Sequence, residues 1–254
     1  MAPRYSQDYH APGPAPQGSV YNDYNIQRRG HSDTGQQTQN SAEQSVDQDI
    51  NNSDDNFFTR LFAQLGRESK VNDQYNQEMS QQAQALANGV QTRSAPSIAA
   101  GNYLSYDHDS LKTMVNDDAD PAMSHEIGDT WITIGNGMTN FQQTFASAIA
   151  NSESEWRGTS GDSARQFMAD VANYVGQAGQ SAQLAGTQEN LHGEALSTAK
   201  NAMPEPIPFD PAAANAELQQ TTNPFEYMTK YAQHMATYEA SQAAHEQAAQ
   251  VMSS

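Results

Sequence analysis

The 254-residue chain has no cysteine, few basic residues and no long apolar run. Without cysteine it can form neither a disulfide nor a thiolate metal site, and it has no thiol nucleophile. Only 12 Lys and Arg stand against 30 Asp and Glu, and the resulting net charge of −18 repels phosphate backbones and anionic lipid surfaces. No apolar stretch approaches the roughly 20 residues that cross a bilayer. We therefore expect no nucleic-acid partner and no stable membrane insertion.

Signatures of export and of catalysis are missing as well. Residues 1–18 contain no apolar core of the kind that a Sec signal peptide needs, so we expect none. The 7 histidines form no metal-ligand spacing. The acidic run 116–127 fails as a calcium loop, because Pro121 stands where Gly is required and Ile127 where Glu is required. With no nucleophile elbow and no phosphate loop, the sequence predicts a protein that is not an enzyme and holds no cofactor or metal.

Composition divides the chain near residue 100. Residues 1–95 are rich in Gln, Asn, Ser, Asp, Gly and Pro, which predicts a mostly disordered polar arm, since so few apolar side chains cannot offset the entropy of ordering. A short helix is expected within residues 56–86. Its apolar face would comprise Phe57, Phe58, Leu61, Phe62 and Leu65.

Residues 102–254 have helical patterns throughout and no convincing strand. Apolar residues recur at alternating intervals of four and three along two successive stretches, which predicts one apolar seam on each of two long helices. We expect an all-α fold, an elongated bundle built on a long antiparallel helical hairpin whose two seams are buried against each other. The first seam comprises Ile127, Trp131, Ile134, Met138, Phe141, Phe145 and Ala148, and the second Ala164, Met168, Val171, Val175, Ala178, Ala182 and Ala185.

Breaks between the helices are marked by Gly and Pro. Trp156-Arg157-Gly158 separates the two periodic stretches, and the prolines at 204, 206, 208 and 211 must end the second one, because proline lacks the amide donor that a helix needs. Two further helices are expected over about 211–220 and 226–251. A turn at residues 223–225 would separate them.

This order of elements resembles the WXG and PPE families of actinobacterial type VII (ESX) secretion substrates. The resemblance covers about residues 102–254 and rests on Trp131, on the Trp-x-Gly turn at Trp156 and Gly158, and on the proline-rich break before the last two helices. One departure is that Leu104 is followed by Ser-Tyr-Asp and not by Pro-Pro-Glu, which puts the pairing with a PE partner in doubt.

The resemblance implies three functional surfaces. The turn with Trp156 and Gly158 is tied to export in the family, although a Trp that covers the end of the hairpin is an alternative. The type VII signal Tyr-x-x-x-Asp fits only Tyr103 with Asp107, which would share one helical face, and a helix cap is the alternative there. The tip with Pro224, Phe225 and Met228 matches the family's chaperone-binding tip, and a Phe that stabilises the turn is the alternative. 

The implied function is that of a type VII secretion-associated substrate or component that acts through protein–protein contacts. Its partners would be a PE-like or WXG-like helical protein, a secretion chaperone and the secretion ATPase, and a homo-oligomer stays open. It would be secreted or held at the cell envelope without a Sec signal. The alternatives are a cytoplasmic helical adaptor or structural protein, and a targeting module for a separately encoded secreted toxin.

Overall fold

The computed structural model describes residues 9–15, 19–52, 66–92 and 101–253. These residues are mostly helical with very little strand, so the all-α class is confirmed. Two short strands, β1 (Tyr9–His10) and β2 (His31–Ser32), pair antiparallel. A 3₁₀ helix covers Tyr103–Ser105, and the α-helices are α1 (Val20–Asp23), α2 (Gly35–Asn52), α3 (Arg67–Ala87), α4 (His108–Asn116), α5 (Pro121–Glu155), α6 (Thr159–Ala202), α7 (Pro211–Gln220) and α8 (Pro224–Val251).

Polar caps and prolines set several helix ends. The Asp210 carboxylate accepts hydrogen bonds from two amides in the first turn of α7, and the Asn223 side chain does the same for α8. Each cap is followed by a proline, whose fixed φ suits the first helical position. The helix α6 ends at Ala202, just before the proline-rich segment, as the sequence predicts. None of the described helices is long and apolar enough to cross a membrane.

The chain forms two compact units, whose limits differ from the predicted arm and helical domain. The first unit contains residues 1–94 and 121–194, and the second contains residues 95–120 and 195–254. The helices α2, α3 and α5 therefore belong to the first unit together with most of α6. The second unit contains α4, α7 and α8.

Much of the polar arm is folded, which corrects the prediction of a mostly disordered segment over residues 1–95. The helices α2 and α3 bury one cluster of apolar side chains that recur every four residues on each helix. Composition failed here because one apolar side chain per turn is enough when a second helix offers a matching stripe. The predicted face from Phe57 to Leu65 lies outside the described residues. The buried cluster comprises Ala42, Val46 and Ile50 on α2 and Val71, Tyr75 and Met79 on α3.

The seam predicted for the two long helices is wrong by one residue on each helix. On α5 the side chains of Ile127, Trp131, Ile134 and Phe141 are exposed, and those of Met138 and Phe145 are half-buried. On α6 the predicted Met168, Val171 and Val175 are also only half-buried, whereas the predicted Ala182 is buried. The buried positions keep the same alternation of four and three, moved on by one. They are Gly128, Ile132, Gly135, Thr139, Gln142, Ala146 and Ile149 on α5, and on α6 they include Arg165, Ala169, Ala172, Gly176, Gly179, Gln183 and Gly186.

Glycines explain the choice of face, because they let the two backbones touch. A Cβ added at Gly135 would lie 2.6 Å from the carbonyl oxygen of Gly179, and one added at Gly128 would lie 2.8 Å from that of Gly186. No side chain fits at such distances. Positions early in α5 meet positions late in α6, so the two helices run antiparallel. The larger apolar side chains one position away would hold the helices apart, and they point elsewhere.

The second unit has its own small core. Leu111 of α4 is buried against Ala248 and Ala249 of α8, and Tyr103 packs on the same cluster. Around it, the Lys112 ammonium lies 2.5 Å from the Glu205 carboxylate. Two histidines of this unit each bond a backbone carbonyl through Nε2, His108 that of Pro204 and His245 that of Tyr106.

We expect Gly135→Ala to lower the free energy of unfolding by about 1–3 kcal/mol, because its new methyl group forces α5 away from α6. Gly137, two residues further along the same helix, has open space around an added Cβ. The matched Gly137→Ala should therefore raise the free energy of unfolding by up to about 1 kcal/mol through helix propensity. Urea unfolding followed by circular dichroism measures both, and equal stabilities of the two variants would contradict the close approach.

A second prediction concerns Glu78 on α3, whose side chain is buried. Gln74 donates to one carboxylate oxygen at 2.8 Å, and the other has no partner among the described residues. Burial raises the pKa of the Glu78 carboxyl above its usual value. The unfolded chain therefore ionises first, and the contribution of Glu78 to stability is lost as the pH rises above about 4.5.

We expect Glu78→Gln to raise the free energy of unfolding by on the order of 1 kcal/mol at pH 7.5, and to change it little at pH 4. Thermal unfolding at the two pH values measures this difference. Glu68 lies exposed on the same helix, so Glu68→Gln serves as the control. A stabilisation of the same size at both pH values would mean that ionisation of Glu78 is not its cause.

Candidate interaction surfaces

A stripe of large apolar side chains lies on the outer face of α5. It contains Ile127, Trp131, Ile134 and Phe141, each between 41% and 53% exposed, with the half-buried Met138 between them. We call these five residues the α5 stripe. The sequence predicted them together on one face, and the structure keeps them together but leaves them uncovered within the first unit. Contiguous apolar surface of this kind marks contact sites for other proteins.

An open groove adjoins the α5 stripe, with a volume of about 530 Å³. Its sides are the side chains of Trp131, Ile134 and Met138 on α5 and of Tyr174 on α6. Val90 and Gln91, which follow α3, and Gln177 on α6 also line it. The remaining lining residues are small residues of α6, namely Ala178, Ser181, Ala182 and Ala185. Large walls over a floor of small residues suit an apolar ridge such as one face of a helix.

Residues 156–158 lie between α5 and α6. The side chain of Trp156 is 49% exposed, so half of its indole is open to solvent. Gly158 has a φ of +99°, and a Cβ added there would meet nothing within 4 Å. Backbone conformation, and not lack of space, therefore requires glycine at this position.

Arg165 holds this turn, and the sequence analysis did not single it out. Its guanidinium is buried and donates to the carbonyl oxygens of Trp156 at 2.8 Å and Ser152 at 3.4 Å. It also donates to the Tyr24 hydroxyl at 2.8 Å and pairs with Asp162 at 2.5 Å. The last carbonyls of a helix have no partner within the helix, and Arg165 supplies one for α5. An arginine on the buried stripe of α6 was the only signal for this role in the sequence.

Tyr103 and Asp107 do not share a helical face, which corrects that expectation. Tyr103 begins a 3₁₀ helix that ends at Ser105, and α4 begins only after Asp107. The Asp107 carboxylate caps α4 by accepting from the backbone amide of Ser110 at 2.8 Å and from its hydroxyl at 2.7 Å. These bonds hold the pKa of the Asp107 carboxyl below its usual value. The cap alternative is thus the role that the contacts display.

Pro224, Phe225 and Met228 form an exposed tip at the start of α8. Phe225 is 87% exposed and Met228 73%, and they lie three residues apart on one face of the helix. Asn223 caps the helix just before them, accepting from the Phe225 amide at 3.0 Å. The Phe225 side chain therefore does not stabilise the turn by packing. It is the most exposed of the large apolar side chains in the described residues.

The described parts of the chain contain no group of three or more His, Asp or Glu side chains placed to hold one metal ion. Two histidines, His108 and His245, stack with their ring centres 6.3 Å apart. Their Nε2 atoms already bond backbone carbonyls, as described for the second unit. Their role is accounted for by packing.

We expect Arg165→Met to lower the free energy of unfolding by about 1–3 kcal/mol, because the Trp156 carbonyl loses its donor and the contacts of the guanidinium with Tyr24 and Asp162 are lost. Arg157 lies exposed in the turn itself, so Arg157→Ala is the matched control and should change stability by less than about 0.5 kcal/mol. Thermal unfolding measures both variants. If Arg165→Met unfolds at the same temperature as Arg157→Ala, the Trp156 carbonyl is satisfied by another group.

Comparison with known proteins adds no relative to these observations. No family model matches the chain, and no curated protein or solved structure matches it either. The resemblance to the WXG and PPE families is therefore carried by the residues of this sequence alone, and the function has to be argued from the surfaces described above.

Proposed function

We propose that this chain is a type VII secretion-associated substrate or component that acts through protein–protein contacts and performs no catalysis. The observation that carries the role in protein–protein contacts is the α5 stripe, a row of large apolar side chains that the first unit leaves uncovered. The resemblance of residues 102–254 to the WXG and PPE families supplies the secretion system. In this proposal the two long antiparallel helices with Trp156 and Gly158 between them are the WXG-type hairpin of an elongated bundle.

The spacing of the α5 stripe favours a helical partner. Its members alternate at intervals of four and three, the repeat with which one helix packs along another. Removing apolar surface from water contributes roughly 25 cal/mol per Å² to the free energy of binding. Trp131 has the largest side chain of the α5 stripe and is 47% exposed, so covering it contributes most. The partner that fits is a PE-like or WXG-like helix whose apolar ridge enters the groove between Trp131 and Tyr174.

The negative charge of the chain further restricts which helical partners suit the α5 stripe. The chain carries a net charge of −18, and α5 itself has four acidic residues and no Lys or Arg. A partner helix with Lys or Arg beside its apolar ridge gains both association rate and orientation from that charge. A second copy of this acidic chain is less suited to the α5 stripe for the same reason.

The turn and the tip are accessible for the two remaining contacts of a type VII substrate. Half of the Trp156 side chain is open to solvent, as recognition by the secretion ATPase or a bound partner requires. Phe225 and Met228 offer an apolar surface for a cytosolic secretion chaperone. The final location in this proposal is outside the cell or at the cell envelope, reached without a Sec signal.

A cytoplasmic helical adaptor is the second candidate. The α5 stripe favours it equally, because an uncovered apolar row suits any helical partner, exported or not. The two candidates differ in whether the protein leaves the cell and whether Trp156 matters for that step.

The distribution of the protein between cells and culture filtrate, in its native host with and without the type VII ATPase, tests the proposal. We expect the protein in the filtrate only when the ATPase is present. Trp156→Ala should reduce the exported amount at least about tenfold without changing the circular dichroism signal, since the side chain is half-exposed. Phe167→Ala is the matched control, because Phe167 is also an exposed aromatic residue but lies on α6 and not in the turn.

Trp131→Ser combined with Ile134→Ser tests the α5 stripe in the same strains. The double variant should lose its helical partner while keeping its thermal stability, because both side chains are exposed. Retention of the wild-type protein in the cytosol with and without the ATPase would reject the secretion role and leave the adaptor. If the double variant still binds the same partner, the α5 stripe is not the contact site.

A further inference from the structure

Residues 25–36 cross the first unit with their backbone bound by side chains of three helices. Eleven hydrogen bonds join backbone groups of this segment to six side chains. We call these six the clamp. They are Gln82 on α3, Asp129, Asn136 and Gln142 on α5, and Asn173 and Gln183 on α6.

Two carboxamide side chains of the clamp each bond both the backbone N–H and the backbone C=O of a single residue. The Asn136 side chain accepts from the Ser32 amide at 3.0 Å and donates to the Ser32 carbonyl at 2.9 Å. Gln82 does the same for Asp33, at 3.1 Å and 3.0 Å. An extended residue presents its N–H and its C=O on one side, and a carboxamide carries one acceptor and two donors. Each amide therefore takes the place of a neighbouring strand.

Two further clamp side chains, Asn173 and Gln142, each bond two residues of the segment that lie two positions apart. Asn173 accepts from the Gln27 amide at 2.7 Å and donates to the Asn25 carbonyl at 3.1 Å. Gln142 donates to the Gln27 carbonyl at 2.9 Å and accepts from the Arg29 amide at 3.3 Å. The clamp thus binds backbone groups along almost the whole length of the segment.

Side chains of the segment add to this recognition at several positions. The Arg29 guanidinium donates to the Gln180 side chain on α6, and the His31 ring bonds the Asn140 side chain on α5 at 2.9 Å. Ile26 is buried in an apolar cluster of the first unit. A Cβ added at Gly35 would lie 2.7 Å from the Asn190 side chain. The site therefore accepts a peptide with one apolar anchor and with glycine where the segment enters α2 and its backbone meets α6.

The segment itself covers the clamp. Gln82, Gln142 and Gln183 are buried with the segment in place, and both polar atoms of Gln142 bond to it. Removing the segment exposes these side chains to water and gives up the burial of Ile26 as well as the hydrogen bonds. A second copy of the segment restores the same contacts, so replacement is favoured over an empty groove.

We propose that the clamp is a peptide-binding groove, filled in cis by residues 25–36 and able to take the same segment from a second copy of this chain. The second copy is the occupant that the geometry supports, because its segment carries Ile26 and Gly35 at the required positions. Segment exchange links two copies through the N-terminal arm and leaves the α5 stripe free. The groove is independent of the secretion role, and either can fail without the other.

A fluorescent peptide of residues 19–36, added to the full-length chain, tests the groove by fluorescence anisotropy. The cis segment competes with the peptide, so the apparent association constant is the intrinsic one multiplied by the fraction of molecules whose groove is free of the cis segment. Ile26→Asn in the chain weakens the cis segment and leaves the clamp intact. We expect the wild-type peptide to bind this variant at least about tenfold more tightly than it binds the wild-type chain.

Two matched controls assign that binding to the clamp. Asn136→Asp, added to Ile26→Asn, can no longer donate to the Ser32 carbonyl and should weaken peptide binding at least about tenfold. In the peptide, N-methylation at Ser32 removes a clamped amide, whereas N-methylation at Arg28 removes one that donates to no clamp side chain. Equal affinity for the two methylated peptides would overturn the groove, as would no binding to a folded Ile26→Asn chain.

Should Ile26→Asn lose helical content, the wild-type chain carries the test. The peptide then bears a benzoylphenylalanine at the position of Tyr24, whose hydroxyl bonds Arg165 of α6. Crosslinking to α6 on irradiation supports the groove. Absence of a crosslink after prolonged incubation overturns it.

A second experiment tests the second copy as donor. The side chains of His31 and Asn140 lie 2.9 Å apart, and neither belongs to the clamp. The chain has no cysteine, so His31→Cys in one copy and Asn140→Cys in another are the sole thiols in a mixture. We expect a short bismaleimide to join the two copies in the mixture and neither copy alone. The double variant should crosslink within one chain, and a mixture that stays monomeric while this control crosslinks would overturn segment exchange.

Discussion

The contact between the backbones of α5 and α6 at their glycines is the constraint on which the first unit depends. Gly128 against Gly186 and Gly135 against Gly179 bring the helices closer than side chains permit. This choice fixes the rotation of both helices. Because the small residues face the partner helix, the large apolar side chains of α5 must face outward. The amide side chains of the buried stripes on both helices, such as Gln142 and Gln183, can then reach residues 25–36. The α5 stripe and the clamp both follow from this rotation.

Periodicity predicted the elements well and the buried face poorly. The two long helices, the break at Pro204 and the last helix pair follow from intervals of four and three and from proline, and the structure has them. On α5, two neighbouring stripes share the same intervals, one with Trp131 and the other with Gly135. Hydrophobicity predicts that the stripe with Trp131 is buried. The stripe with Gly135 is buried instead, because glycine lets the α6 backbone approach α5 closely. The sequence of α5 alone does not show that approach.

The polar arm was misjudged for a related reason. Its mean hydropathy predicts disorder, but α2 and α3 bury few residues at a strict spacing, and the segment before them is held by hydrogen bonds. The partners of that segment, such as Gln142 and Gln183, lie more than a hundred residues away in sequence. Bonds from side-chain amides to a distant backbone leave no periodic trace. The exposure of Phe225 and Trp156 did not follow from the pattern either, because it allowed each ring to pack against its own turn.

The distance in sequence between the clamp and its segment has a consequence for synthesis. Gln183, the last clamp side chain, follows Gly30 by 153 residues. At about 5–20 residues per second, the N-terminal segment leaves the ribosome on the order of 10–30 s before its last partner exists. During that interval the groove of its own chain is incomplete, and the free backbone groups of the segment bind water or another chain. On a ribosome cluster translating one message, the nearest finished groove belongs to a neighbouring copy.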